Sequence, residues 1–177
     1  KFADAYFMMG MSWMKQGEAK NAFGSFSKAV DLDPGHLRAQ TGVGKIYLLA
    51  QMPDKAMEKA ELVLKADGKD EEARLLKGAV YLYRKEVDRA LGYLDELIKD
   101  GVTKADVYMM QAGAYGQKGD MKAAEGALGK GIEKNPKVTM LYLSLADLYM
   151  REKKVEDAVA VVKKVIAIEP DDSRYKL

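Results

Sequence analysis

A single histidine, His36, is all the imidazole this chain can offer to acid–base or metal chemistry, and it contains no cysteine. One imidazole rules out any site that needs two, including the paired ligands of an HExxH zinc helix. Without cysteine there are no disulfides, no thiolate metal sites and no thiol nucleophile. That absence fits a reducing or an oxidising compartment equally and localises nothing. His36 follows Pro34-Gly35 and reads as a solvated loop histidine rather than a general base. Gly42-Val43-Gly44-Lys45 hints at a phosphate loop, but Ala39 and Ile46 stand where that motif needs Gly and Ser or Thr. Gly126–Gly131 resembles a glycine-rich loop in composition only, since no strand precedes it. The acidic run Asp67-Gly68-Lys69-Asp70-Glu71-Glu72 lacks the ligand spacing of a calcium loop. Asp70 there is expected to cap a helix, with Glu71 and Glu72 in its first turn. No catalytic constellation, no metal set and no cofactor motif is expected.

The elements that remain must therefore build a surface rather than a reaction centre. The chain has 177 residues, 48% hydrophobic and 32% charged, which is too apolar for disorder. No apolar run approaches the length of a transmembrane helix, so no direct membrane insertion is expected. Net charge is +2, from 29 basic and 27 acidic residues of interspersed sign. No basic stripe emerges, so nucleic acid is not an expected partner. The opening Lys1-Phe2-Ala3-Asp4 has neither an initiator Met nor a signal-peptide pattern. The expectation is a single array over 1–177, cut from a longer chain.

Comparison of the chain with itself at a shift of 34 residues keeps its register from end to end. Ala22, Ala56, Ala90, Ala124 and Ala158 form one column. Gly10, Gly44, Gly78, Ala112 and Ala146 form a second, and Trp13, Tyr47, Tyr81, Tyr115 and Tyr149 a third. A fourth reads Pro34, Gly68, Val102, Pro136 and Pro170. The repeats run 3–36, 37–70, 71–104, 105–138 and 139–172, and 173–177 starts a further helix. Each holds two amphipathic segments, A and B, joined by a short turn that carries Gly17 in the first repeat and Gly119-Asp120 in the fourth. The small columns are expected where helices cross, and the aromatics beside the crossings, with Trp13 in the core. Val30, Leu64, Ile98, Ile132 and Ile166 are expected to complete the core on the B face. Gly126, Gly129 and Gly131 soften the fourth B helix, and close helix packing is the expected reason for them.

These columns resemble the tetratricopeptide repeat. The resemblance covers residues 3–172 and implies an all-α, right-handed superhelical solenoid of five helix-turn-helix units. It implies no catalytic residues, but a non-enzymatic scaffold or adaptor for a protein or peptide partner. Similar bacterial proteins serve as adaptors or assembly factors in envelope, pilus or secretion systems. The family's mode of gripping a C-terminal carboxylate does not carry over, because Phe7, Met11, Glu72 and Leu76 occupy its positions.

In such an array the A helices line the concave face. A helical wheel turns Phe7, Met8, Met11, Arg38, Lys45, Leu75, Leu76 and Tyr83 toward it, then Met109, Met110, Asp147, Met150 and Arg151. Gly113, Gly116, Gln117, Met140, Leu143 and Ser144 share those positions. A methionine-rich groove of this kind is expected to hold an apolar or amphipathic peptide segment. Two other readings stay open: a structural spacer or self-association array, and the docking arm of an enzyme whose catalytic domain lies outside these residues. Apolar, uncapped ends are expected to give weak self-association.

Overall fold

The structure is a computed structural model and describes residues 1–170; the helix start expected at 173–177 lies outside the described residues. Ten helices follow one another: α1 (Phe2–Lys15), α2 (Ala19–Leu32), α3 (Leu37–Leu49), α4 (Pro53–Ala66), α5 (Glu71–Tyr83), α6 (Val87–Lys99), α7 (Ala105–Lys118), α8 (Met121–Lys134), α9 (Thr139–Arg151) and α10 (Val155–Ile168). The described residues contain no strand. The odd-numbered helices are the A helices, and they begin at 2, 37, 71, 105 and 139, at or beside the repeat starts. The chain divides into two compact units, Lys1–Glu86 and Val87–Leu177. The division falls inside the third repeat, between its two helices. In the first unit, α2 packs on α1 and α3, and α4 packs on α3 and α5. In the second, α7 packs on α6 and α8, and α9 packs on α8 and α10.

Local backbone chemistry explains the constant helix length. Five residues spaced at the repeat period adopt left-handed φ: Gly17 (78°), Gln51 (60°), Lys85 (59°), Gly119 (77°) and Lys153 (61°). Each lets the next amide reach back five residues to a carbonyl of the aromatic column: Glu18 to Trp13, Met52 to Tyr47, Glu86 to Tyr81, Asp120 to Tyr115 and Lys154 to Tyr149, all at 2.8–3.0 Å. This pattern satisfies carbonyls that a helix end would otherwise leave unpaired. Asp70 accepts from the Ala73 amide at 2.7 Å and Asp120 from the Ala123 amide at 3.0 Å, so both cap the helix that follows. After α6, where the closing proline is missing, Gly101 (φ 90°) makes the same turn and Val102 is buried. Asn135 Nδ2 then donates to the Thr103 carbonyl at 2.8 Å.

The alanine column Ala22, Ala56, Ala90, Ala124 and Ala158 is buried throughout. In the first unit the Phe26 ring lies between two helices whose glycines let it in. A Cβ at Gly10 would stand 2.5 Å from Phe26 Cδ1, and one at Gly42 2.9 Å from Cδ2. The expected B-face column needs correcting by one residue. Val30, Leu64, Ile98, Ile132 and Ile166 are only half-buried, while Ala29, Val63, Leu97, Gly131 and Val165 are closed to solvent. The glycines of α8 also divide. A Cβ at Gly131 would meet Leu141 Cδ2 and Tyr108 Cβ at 2.8 Å, but at Gly126 and Gly129 nothing lies within 4 Å. Close packing accounts for Gly131 alone.

Candidate partner-binding clefts

The A helix α1 begins the first unit, and its Phe7 side chain turns inward. The ring lies 5.8 Å from Phe26 and 5.2 Å from His36 and is 4% exposed. The Arg38 guanidinium stacks over its outer face, 4.5 Å from the centroid, a favourable cation–π geometry. Phe7 thus forms the floor of a small cleft of about 250 Å³ that Met8, Met11, Ser12, Lys15 and Arg38 complete. Met8 and Met11 are exposed. His36 is not a solvated loop histidine. Its Nδ1 accepts from the Ala39 amide at 3.2 Å, capping α3, and its Nε2 lies 3.5 Å from Asp4 Oδ1. Only 10% of its side chain is exposed, because the cap pulls the ring down onto Phe7.

The remaining first-unit candidates scatter. Leu75 and Leu76 are 5% and 3% exposed and offer no free surface. Leu76 fills the space over Gly44, where an added Cβ would stand 2.6 Å from Leu76 Cδ2, and Leu75 beside it on α5 is likewise closed off. The Lys45 ammonium is paired with Glu72. Tyr83, at the end of α5, is 45% exposed.

The second unit holds a larger cleft of about 540 Å³, built mainly between α7 and α9. Met109 and Gln117 come from α7, and Met140, Leu143, Ser144, Asp147 and Arg151 from α9. The space exists because α7 presents Gly113 and Gly116 here, and a Cβ at either would meet nothing within 4 Å. Arg151 Nη2 pairs with Asp147 Oδ2 at 2.8 Å one turn away, with both side chains well exposed. Met110 is half-buried and Met150 exposed, and neither lines the cleft. The helical wheel missed Met121 and Leu128, because they belong to α8 and close the cleft from a B helix. Behind it, Tyr149 Oη donates to Glu125 Oε1 at 2.8 Å. Burial first, and then this bond and the Glu125 charge, push the phenol pKa up to about 12.

The sequence model of the Tetratricopeptide repeat matches residues 14–79 and 117–177, most of the chain. The chain belongs to the tetratricopeptide repeat family. Tetratricopeptide repeat protein 1 of Schizosaccharomyces pombe is 26% identical over 140 residues, covering 74% of this chain but only 13% of that protein's length. A thermophilic tetratricopeptide repeat protein of Thermus thermophilus superposes with a TM-score of 0.88 at 16% identity, over 98% of this chain and 94% of that one. PilW, a type IV pilus biogenesis factor, superposes at 0.75 with 20% identity, over 97% and 79%. These likenesses establish the all-α superhelical repeat fold. The family's members are in general non-catalytic modules for protein–protein interaction, and the fold supports an interaction scaffold in that general sense. Among its described residues, no helix is long and apolar enough to cross a membrane.

Proposed function

We propose that this tetratricopeptide array binds an apolar or amphipathic peptide segment of a partner protein against its A-helix faces, without catalysing a reaction. The observation that carries the reading is the second unit's cleft, where Met109, Met121, Met140 and Leu143 surround space left open by Gly113 and Gly116. Unbranched thioether side chains repack around different partners, which suits a groove that selects by apolar volume. The exposed Asp147–Arg151 pair sets orientation at the rim and contributes little affinity. In the first unit Met8, Met11 and Arg38 offer a smaller surface of the same kind over Phe7.

The test is methyl NMR on methionine-labelled protein, titrated with a panel of amphipathic Leu- and Phe-bearing peptides. Shifts confined to Met109, Met121 and Met140 are expected. Gly113→Leu, which fills the open space, is expected to weaken binding about tenfold with the helical signal intact. Peptides that bind Gly113→Leu and Met109→Ser as they bind the parent would place the interaction elsewhere.

A second reading, weak self-association, rests on exposed apolar residues near either end: Phe2 on α1, and Val155 and Val159 on α10. Sedimentation of Phe2→Asp and Val159→Lys proteins against the parent tests it, and a parent that stays monomeric at high concentration excludes it.

A further inference from the structure

In the first unit, the side of the α1–α2 pair away from the Phe7 cleft carries a different chemistry. Tyr6 and Trp13 from α1 and Lys20, Asn21, Gly24, Ser25 and Lys28 from α2 line a shallow, open cleft of about 510 Å³. Its floor is aromatic, with Tyr6 and Trp13 half-buried against the core. Gly24 keeps it open, since a Cβ there would meet nothing within 4 Å.

Lys20 departs from the second and third repeats, while the fourth repeat carries Lys122 and Lys130 at the positions of Lys20 and Lys28. In the second and third repeats the residue matching Lys20 is an aspartate whose charge is taken up thirty residues later: Asp54 by Arg84 and Asp88 by Lys118. Thirty residues after Lys20 stands Ala50. Neither Lys20 nor Lys28 has an ion-pair or hydrogen-bond partner among the described residues. Eight residues apart on one helix, they stand about 12 Å from each other along its axis, flanking the aromatic floor. An extended chain covers about 13 Å in four residues.

We propose that this cleft is a separate binding surface for an extended acidic peptide. Two carboxylates four residues apart meet Lys20 and Lys28, and the large apolar side chain between them lies over Tyr6 and Trp13. The match is one of charge and of spacing. The near-neutral whole, at +2, lacks the positive field on which phosphate-backbone binding depends, so a nucleic acid is the poorer fit. The inference is independent of the A-helix clefts and stands or falls without them.

Trp13 is the one tryptophan in the chain, so its emission reports on this cleft. The probe is the acetylated and amidated peptide Glu-Gly-Phe-Gly-Glu, titrated against the protein while Trp13 fluorescence is followed. A saturable change is expected, one that weakens as salt rises. Both Lys20→Glu/Lys28→Glu and Gly24→Leu are expected to weaken binding about tenfold or more. Gly24 is exposed in mid-helix, so Gly24→Leu is expected to keep the unfolding midpoint, and the charge reversal tests the same site without adding bulk. Equal binding of the peptide to parent and both variants overturns the proposal. So does equal binding of Lys-Gly-Phe-Gly-Lys, displacement by a uridine oligonucleotide, or no response up to millimolar peptide.

Discussion

Tyr149 and Glu125 tie α9 to α8 through a phenol-to-carboxylate hydrogen bond of 2.8 Å. The contact spans the second unit just behind its cleft, and it links the aromatic column of the fifth repeat to the B helix of the fourth.

That bond gives the unit an alkaline limit. The Tyr149 pKa rises from 10.0 to about 12 in the folded chain, through burial first and then the bond to Glu125. A raised folded pKa means the folded state holds the phenolic proton more tightly. The resulting stabilisation is complete below the unfolded pKa and is lost as pH climbs through the folded one. Denaturant midpoints are expected to fall from about pH 10 to 12. Tyr149→Phe should flatten that limb at a cost of about 1 kcal/mol near neutrality. Superimposable alkaline limbs in the two proteins would show that the phenol is not linked to folding.

The left-handed turn residues make a paired test. An L-residue in that region is strained by about 1–2 kcal/mol, which glycine avoids at some cost in chain entropy. Gln51→Gly and Lys153→Gly are expected to stabilise by about 0.5–1 kcal/mol, and Gly119→Ala to destabilise by about 1 kcal/mol. Urea titration measures all three, and a loss of stability in both glycine variants would contradict the backbone assignment.

In α8, three glycines predict opposite signs. Gly126→Ala and Gly129→Ala meet no neighbour within 4 Å and are expected to stabilise the helix by about 0.5–1 kcal/mol each. Gly131→Ala drives a methyl to 2.8 Å from Tyr108 and Leu141 and is expected to cost about 1–3 kcal/mol. Three equal thermal shifts would refute the distinction.

The alanine column is a core feature rather than a family habit. Ala56 is wholly buried on α4, so Ala56→Leu is expected to overpack its crossing and cost about 1–3 kcal/mol. An unchanged unfolding midpoint would show that the crossing has room to spare.

The period of 34, the helix boundaries and the turns were legible in the sequence because they depend on neighbours in the chain. A left-handed residue at Gly17 or Gly119, and a capping carboxylate at Asp70, act over four or five residues wherever the segment sits. The buried alanine column was legible too, since five copies repeat it. What the period could not supply was the occupancy of space between helices. Leu76 looked like a groove residue on the wheel of α5, and it is closed because Gly44 of α3 lies beneath it. His36 looked like a loop residue, and it is covered because its ring caps α3 and rests against Phe7. The glycines show the limit most directly. Gly126 and Gly131 share one helix and one expectation of close packing, yet a Cβ at Gly131 would strike Tyr108 and Leu141 while one at Gly126 would enter open space. A missing side chain marks either a close approach or open room, and only the neighbouring helix, brought there by tertiary packing, decides which.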